Sequence, residues 1–114
     1  MEFTVKGPFE IDREKIRTGR YRLLFSDFWG KDDDRQDIAS SRGVYVFAAK
    51  TGGGYMPLYV GKATRCFRQE AFNPSNKHKY ADAMLEYQRG KPVMFFIMPP
   101  LRKGKVNGLS LIHI

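Results

Sequence analysis

The sequence predicts a mixed α/β domain of the α+β type, with a three-stranded, mainly antiparallel sheet flanked by helices and an N-terminal extension in front of it. Three observations predict it. Residues 43–50 (GVYVFAAK) and 57–60 (PLYV) are β-forming runs joined by Thr51-Gly52-Gly53-Gly54, where glycine accepts the positive φ of a tight turn, so they read as a hairpin. Residues 93–98 (VMFFIM) are a continuous apolar run stopped by Pro99-Pro100, as expected of a central strand buried on both faces. Between hairpin and run, residues 62–89 repeat apolar side chains at helical spacing.

The elements follow in chain order. Phe3, Val5, Phe9 and Ile11 alternate with polar or small residues, the period of a half-buried strand, and Gly7-Pro8 makes it an irregular edge strand. In residues 12–29 the signals are mixed, with Asp12 placed to cap a short helix and Gly19 to end it. Leu23, Leu24, Phe25, Phe28 and Trp29 there require a core to cover them. Residues 31–41, with Asp32-Asp33-Asp34 and Asp37, read as a solvated connection or a helix cap, not a metal loop. Residues 1–42 are therefore an extension or accessory layer, and 43–107 the core. After Gly61, a helix over 62–72 would put Ala63, Cys66, Phe67 and Ala71 on one face and Arg65, Arg68 and Phe72 on another. Asn73-Pro74-Ser75-Asn76 breaks it, and a second helix over 77–89 carries Tyr80, Met84 and Tyr87 as an apolar stripe until Gly90 and Pro92.

Composition bounds the function. With 42% hydrophobic and 14% aromatic residues in 114, one domain can bury a core without a disulfide, and the single Cys66 allows none. Cys66 is expected to pack as a small hydrophobe. No apolar stretch is long enough to span a bilayer or to serve as a secretory signal, so the expectation is a soluble, cytoplasmic protein with no membrane partner. Twenty Lys and Arg against twelve Asp and Glu give a formal net charge of +8, which favours a polyanion such as DNA.

The chemistry-bearing blocks are Gly43-Val44-Tyr45 on the first hairpin strand and Tyr59-Val60-Gly61-Lys62 at the end of the second, with Arg68 beyond them. In this order and spacing the chain resembles the GIY-YIG nuclease family over residues 43–98. The run 66–72 (CFRQEAF) followed by His78-Lys79-Tyr80 looks like small bacterial and phage members. The resemblance implies a DNA endonuclease that hydrolyses phosphodiester bonds with Mg2+ or another divalent cation. It implies that Tyr45 and Tyr59 orient or deprotonate the attacking water, that Arg68 grips the scissile phosphate, and that Lys62 assists; which tyrosine is the base stays open. Gly43 and Gly61 are the motif glycines, Gly61 being expected to bring the start of a helix close to the phosphate. Arg65, Lys77, His78 and Lys79 complete a nucleic-acid-binding face, Arg65 and His78 also reading as ordinary surface residues.

One departure from the family concerns the metal. The glutamate that holds the cation on a final helix has no counterpart, because after Met98 there is no Asp or Glu. No metal ligand is assigned in this chain, and the expected glutamate falls beyond its end. Residues 101–107 read as a basic loop. Residues 108–114 resemble translated adapter sequence and are expected to be a non-native tail on a truncated, inactive fragment. Two other readings stay open: a nucleic-acid-binding module without catalysis, and a structural or interaction domain whose tyrosines are only core.

Overall fold

The computed structural model describes residues 2–100; the basic loop at 101–107 and the tail at 108–114 lie outside the described residues. The fold is α+β and its sheets are antiparallel. Strands β1 (Thr4–Glu10), β2 (Asp12–Lys15) and β3 (Tyr21–Leu24) are followed by a 3-10 turn (Phe28–Gly30) and helix α1 (Asp33–Ile38). Then come β4 (Gly43–Thr51), β5 (Gly54–Ala63), α2 (Phe67–Glu70), α3 (Pro74–Met84) and β6 (Lys91–Met98).

The main sheet has four strands in the order β1-β6-β4-β5, which corrects the expected three. The apolar run of β6 can be paired along both sides only if a further strand lies on the flank away from β4. The alternating N-terminal segment supplies it, joining Val5 to Ile97 and Phe9 to Met94. Residues 2–42 thus share the sheet and the core: Ile11, Phe28 and Ile38 are buried in one cluster with Tyr45, Phe47, Phe67, Tyr80 and Phe96. Both edge strands carry a proline at an irregularity. Pro8 lies in the register shift between Lys6 and Phe9, and Pro57 pairs with Ala48 beside the shift in β5.

Three local readings also change. Asp12 starts no helix. It opens a second, two-stranded hairpin in which it pairs with Leu24, and Gly19 turns that hairpin at φ 87°. The hairpin is tied down by Arg13, whose guanidinium donates to the Gly90 carbonyl at 2.6 Å. The helix expected over 62–72 shrinks to α2, because Gly61, Lys62 and Ala63 continue β5 opposite Tyr45, Val44 and Gly43. Ala63, Phe67 and Ala71 are nonetheless fully buried. Helical spacing and burial at a strand end followed by a short helix select the same residues. The second helix runs earlier than expected: Asn73 accepts from the Asn76 amide at 2.8 Å as its cap, and Pro74 takes the first turn, where a missing N–H costs nothing. Beyond Met84 the chain turns, with Tyr87 N donating to Met84 O and Gly90 N to Tyr87 O.

Strand alternation divides the main sheet into two faces. Tyr45, Phe47, Met94 and Phe96 point inward beneath the helices and are at most 4% exposed. Val5, Val60, Phe95 and Ile97 point outward. Among the described residues, no helix is long and apolar enough to cross a membrane.

Candidate functional site

Tyr45 pairs with Gly61, and Tyr59 with Phe47, two positions along the same two strands. The tyrosines are therefore diagonal neighbours on the inner face, with ring centroids 6.5 Å apart. Gly61 is what lets them lie so. A Cβ at Gly61 would overlap the Tyr45 ring, and one at Gly43, where φ is 146°, would overlap the Ile97 carbonyl. The glycines of the two blocks are therefore space requirements of the hairpin: one clears room for a tyrosine, the other lets β4 approach β6. Gly61 does not introduce a helix.

The two phenols sit in different surroundings. Tyr45 is 4% exposed, and its oxygen accepts a hydrogen bond from Asn76 Nδ2 at 2.7 Å. Burial raises its pKa above the ordinary tyrosine value; the Asn76 hydrogen bond works against that, and the nearby Tyr59 and Glu70 reinforce it. Tyr59 is half-buried. Lys79 Nζ donates to its hydroxyl at 3.4 Å and lies 5.0 Å from its ring centre, a cation over an aromatic face. Beneath both, Tyr80 is fully buried and donates to the Ala71 carbonyl at 2.7 Å, and burial pushes its phenol far up.

The cationic candidates separate. Arg68 is exposed on α2, next to Phe67, whose ring meets Tyr45 edge-on at 6.5 Å. Among the described residues its guanidinium has neither hydrogen bond nor ion pair. The start of α2 is not an open phosphate cradle, because its first amides already donate to the Ser41 and Ala39 carbonyls, both at 2.9 Å. Lys62 pairs with Val44, so alternation directs it to the outer face, away from Tyr45 and Tyr59; the expected grouping of Lys62 with the tyrosines does not form. Arg65 is exposed, its backbone held by Glu70 and Arg42. Lys77 turns toward the Phe25 ring, 5.6 Å away. His78 lies on the outside of α3, with Nε2 3.4 Å from Asp82 Oδ2.

Sequence reasoning missed Asn76, which it took for part of a helix breaker. The signal was present: Asn73-Pro74 is a helix start, and it puts Asn76 on the first turn. No three His, Cys, Asp or Glu side chains cluster to hold a metal ion among the described residues. Glu70, the carboxylate whose charge reaches Tyr45, already accepts the Arg65 amide at 2.6 Å. A cleft of about 390 Å³ lined by Thr51, Glu86, Tyr87 and Arg89 lies at the opposite end of β4 and contains none of these groups.

Comparison with models of protein families, with curated proteins and with solved structures finds no match to this chain.

Proposed function

We propose that this chain is a DNA-handling domain of the GIY-YIG nuclease type, in which the inner-face tyrosines and the basic side chains beside them hold a phosphodiester for hydrolysis. The reading is carried by the Tyr45–Tyr59 pair: each phenol oxygen meets a donor from the single helix α3, Asn76 for one and Lys79 for the other. An oxygen that already accepts keeps its own proton for an outside acceptor, here a phosphoryl oxygen or a water held beside one. Arg68 supplies the planar fork that suits a phosphate, and Lys79 adds a positive charge at Tyr59. Because burial makes ionisation of Tyr45 costly, Tyr45 serves as a donor and Tyr59 is left for proton transfer.

Charge is distributed to match. With Lys62 on the other face, residues 65–79 hold four basic residues against one acid, whereas residues 27–37 hold five acids against two bases, so a polyanion is steered to the former. The burial of Tyr45 favours one second reading, a nucleic-acid-binding module that grips the phosphate without cutting.

The test is fluorescence anisotropy with labelled duplex DNA over a salt series, followed by plasmid nicking in magnesium. The logarithm of the affinity is expected to fall linearly with the logarithm of salt concentration as counterions are released, and affinity is expected to be lower in Arg68→Ala and Lys79→Ala. Nicking by a longer form of the protein that supplies a metal-binding glutamate, lost in its Tyr59→Phe variant, supports the nuclease; binding without nicking by that longer form supports the module. Salt-independent binding rejects both.

A further inference from the structure

We propose that Asn76 is a positioning residue that fixes the direction of the Tyr45 hydroxyl proton, so that Tyr45 offers its hydrogen to a phosphate oxygen; this rests on the phosphodiester reading above. Asn76 is 4% exposed, and its Nδ2 reaches three oxygens: Tyr45 Oη at 2.7 Å, Glu70 O at 2.8 Å and Ala71 O at 3.4 Å. The two carbonyls can only accept, so the amide atom facing them must be the nitrogen; the reverse orientation would set oxygen against oxygen. One N–H then goes to the carbonyls and the other to Tyr45. Tyr45 must accept from Asn76, which leaves its own hydrogen to be donated to another acceptor.

Among the described residues no group accepts that hydrogen. The Tyr80 hydroxyl donates to Ala71 O, and the Tyr59 hydroxyl receives Lys79. Glu70, whose charge reaches Tyr45, is engaged with the Arg65 amide. The same amide hydrogen bond would stabilise a Tyr45 phenolate, so removing or reversing it must raise the Tyr45 pKa further above its already elevated position.

The test uses the full 114-residue chain with its tyrosine ring carbons labelled, titrating Tyr45 by NMR and assigning it from Tyr45→Phe. Asn76→Asp replaces the donor with an acceptor and is expected to raise the Tyr45 pKa by about one or more. It should also weaken duplex DNA binding by about tenfold, the value of one hydrogen bond. Tyr45→Phe should weaken binding to the same degree, and the double variant no further. An effect confined to melting temperature, with the Tyr45 titration unmoved, overturns the proposal. Should Asn76→Asp not fold, the conservative Tyr45→Phe decides alone: one of the two Asn76 side-chain amide protons is expected to shift and exchange faster, and unmoved amide resonances overturn the proposal. If the parent chain binds no DNA, the phosphodiester reading fails, while the titration and the amide protons still decide the hydrogen-bond assignment.

Discussion

The two faces of the main sheet are made from the same four strands and do opposite things. On the inner face Tyr45, Phe47, Met94 and Phe96 lie under the helices, and the aromatic side chains interlock: Phe47 stacks on Tyr80 at 4.3 Å, and Phe67 packs on Phe96 at 4.8 Å. On the outer face Val5 and Val60 are each 60% exposed, and Tyr55 rests edge-on against Phe95 at 5.2 Å. The difference teaches that candidate chemistry and core here share one surface. Tyr45 and Tyr59 extend the packed aromatic layer at its rim, so their hydroxyl geometry depends on how that layer is packed. Lys62, adjacent in sequence to the second motif, falls on the other face and leaves the site.

The inner face is most sensitive at Phe96. Phe96→Ala removes a ring that touches Phe9, Phe28, Trp29 and Phe67, and urea unfolding is expected to show a loss of about 3–5 kcal/mol. Val60→Thr on the outer face is expected to stay within about 0.5 kcal/mol. Equal costs for the two would mean the outer face is packed as tightly as the inner.

Gly61→Ala tests the inner face from the opposite direction, by adding an atom. The new Cβ overlaps the Tyr45 ring, and overpacking of this kind costs about 1–3 kcal/mol. The ring must also move away from Asn76, so changes should appear in the Tyr45 and Tyr59 resonances before the fold is lost. A variant with parental stability and an unmoved Tyr45 would remove the steric account of the glycine.

Alkaline pH sharpens the comparison without mutation. Tyr45 and Tyr80 both have raised pKa values in the folded state, so above the unfolded value of about 10 the unfolded chain loses these protons while the folded chain keeps them. Their stabilising contribution is whole below that pH and is lost as pH rises, at about 1.4 kcal/mol per pH unit for each tyrosine. Unfolding followed from pH 9 to 11 should steepen accordingly, and Tyr80→Phe should remove one share. A slope identical in the variant would contradict the burial of that phenol.

The smallest expected effect contrasts two cations. Arg68→Ala should reduce duplex affinity and lower the salt slope by about one, as for the loss of one phosphate contact. Lys62→Ala, on the outer face, should leave the slope nearly unchanged. The reverse order would put the DNA on the wrong side of the sheet.

Much of this architecture could be read directly. The hairpin was legible because three consecutive glycines separate two β-forming runs, and β6 because the apolar run of six residues at 93–98 cannot be half-exposed along its length. The N-terminal strand was legible by alternation, but its partner was not, since pairing between residues so distant leaves no local mark. The helix over 62–72 was misread because period-3.6 spacing and inward alternation followed by one short turn bury the same alanines and phenylalanine. That single error also misplaced Lys62: once Gly61 is inside a strand, its successor must face outward. Asn76 was hidden because its value lies in a partner 31 positions earlier.

The prolines at the two sheet edges limit how copies of this protein can associate. An incoming strand that tried to extend the sheet would need an unbroken ladder along β1 or β5, yet each edge has a residue without an N–H and a register shift beside it. Filament growth by strand addition is therefore disfavoured at both ends, even though the outer face is apolar.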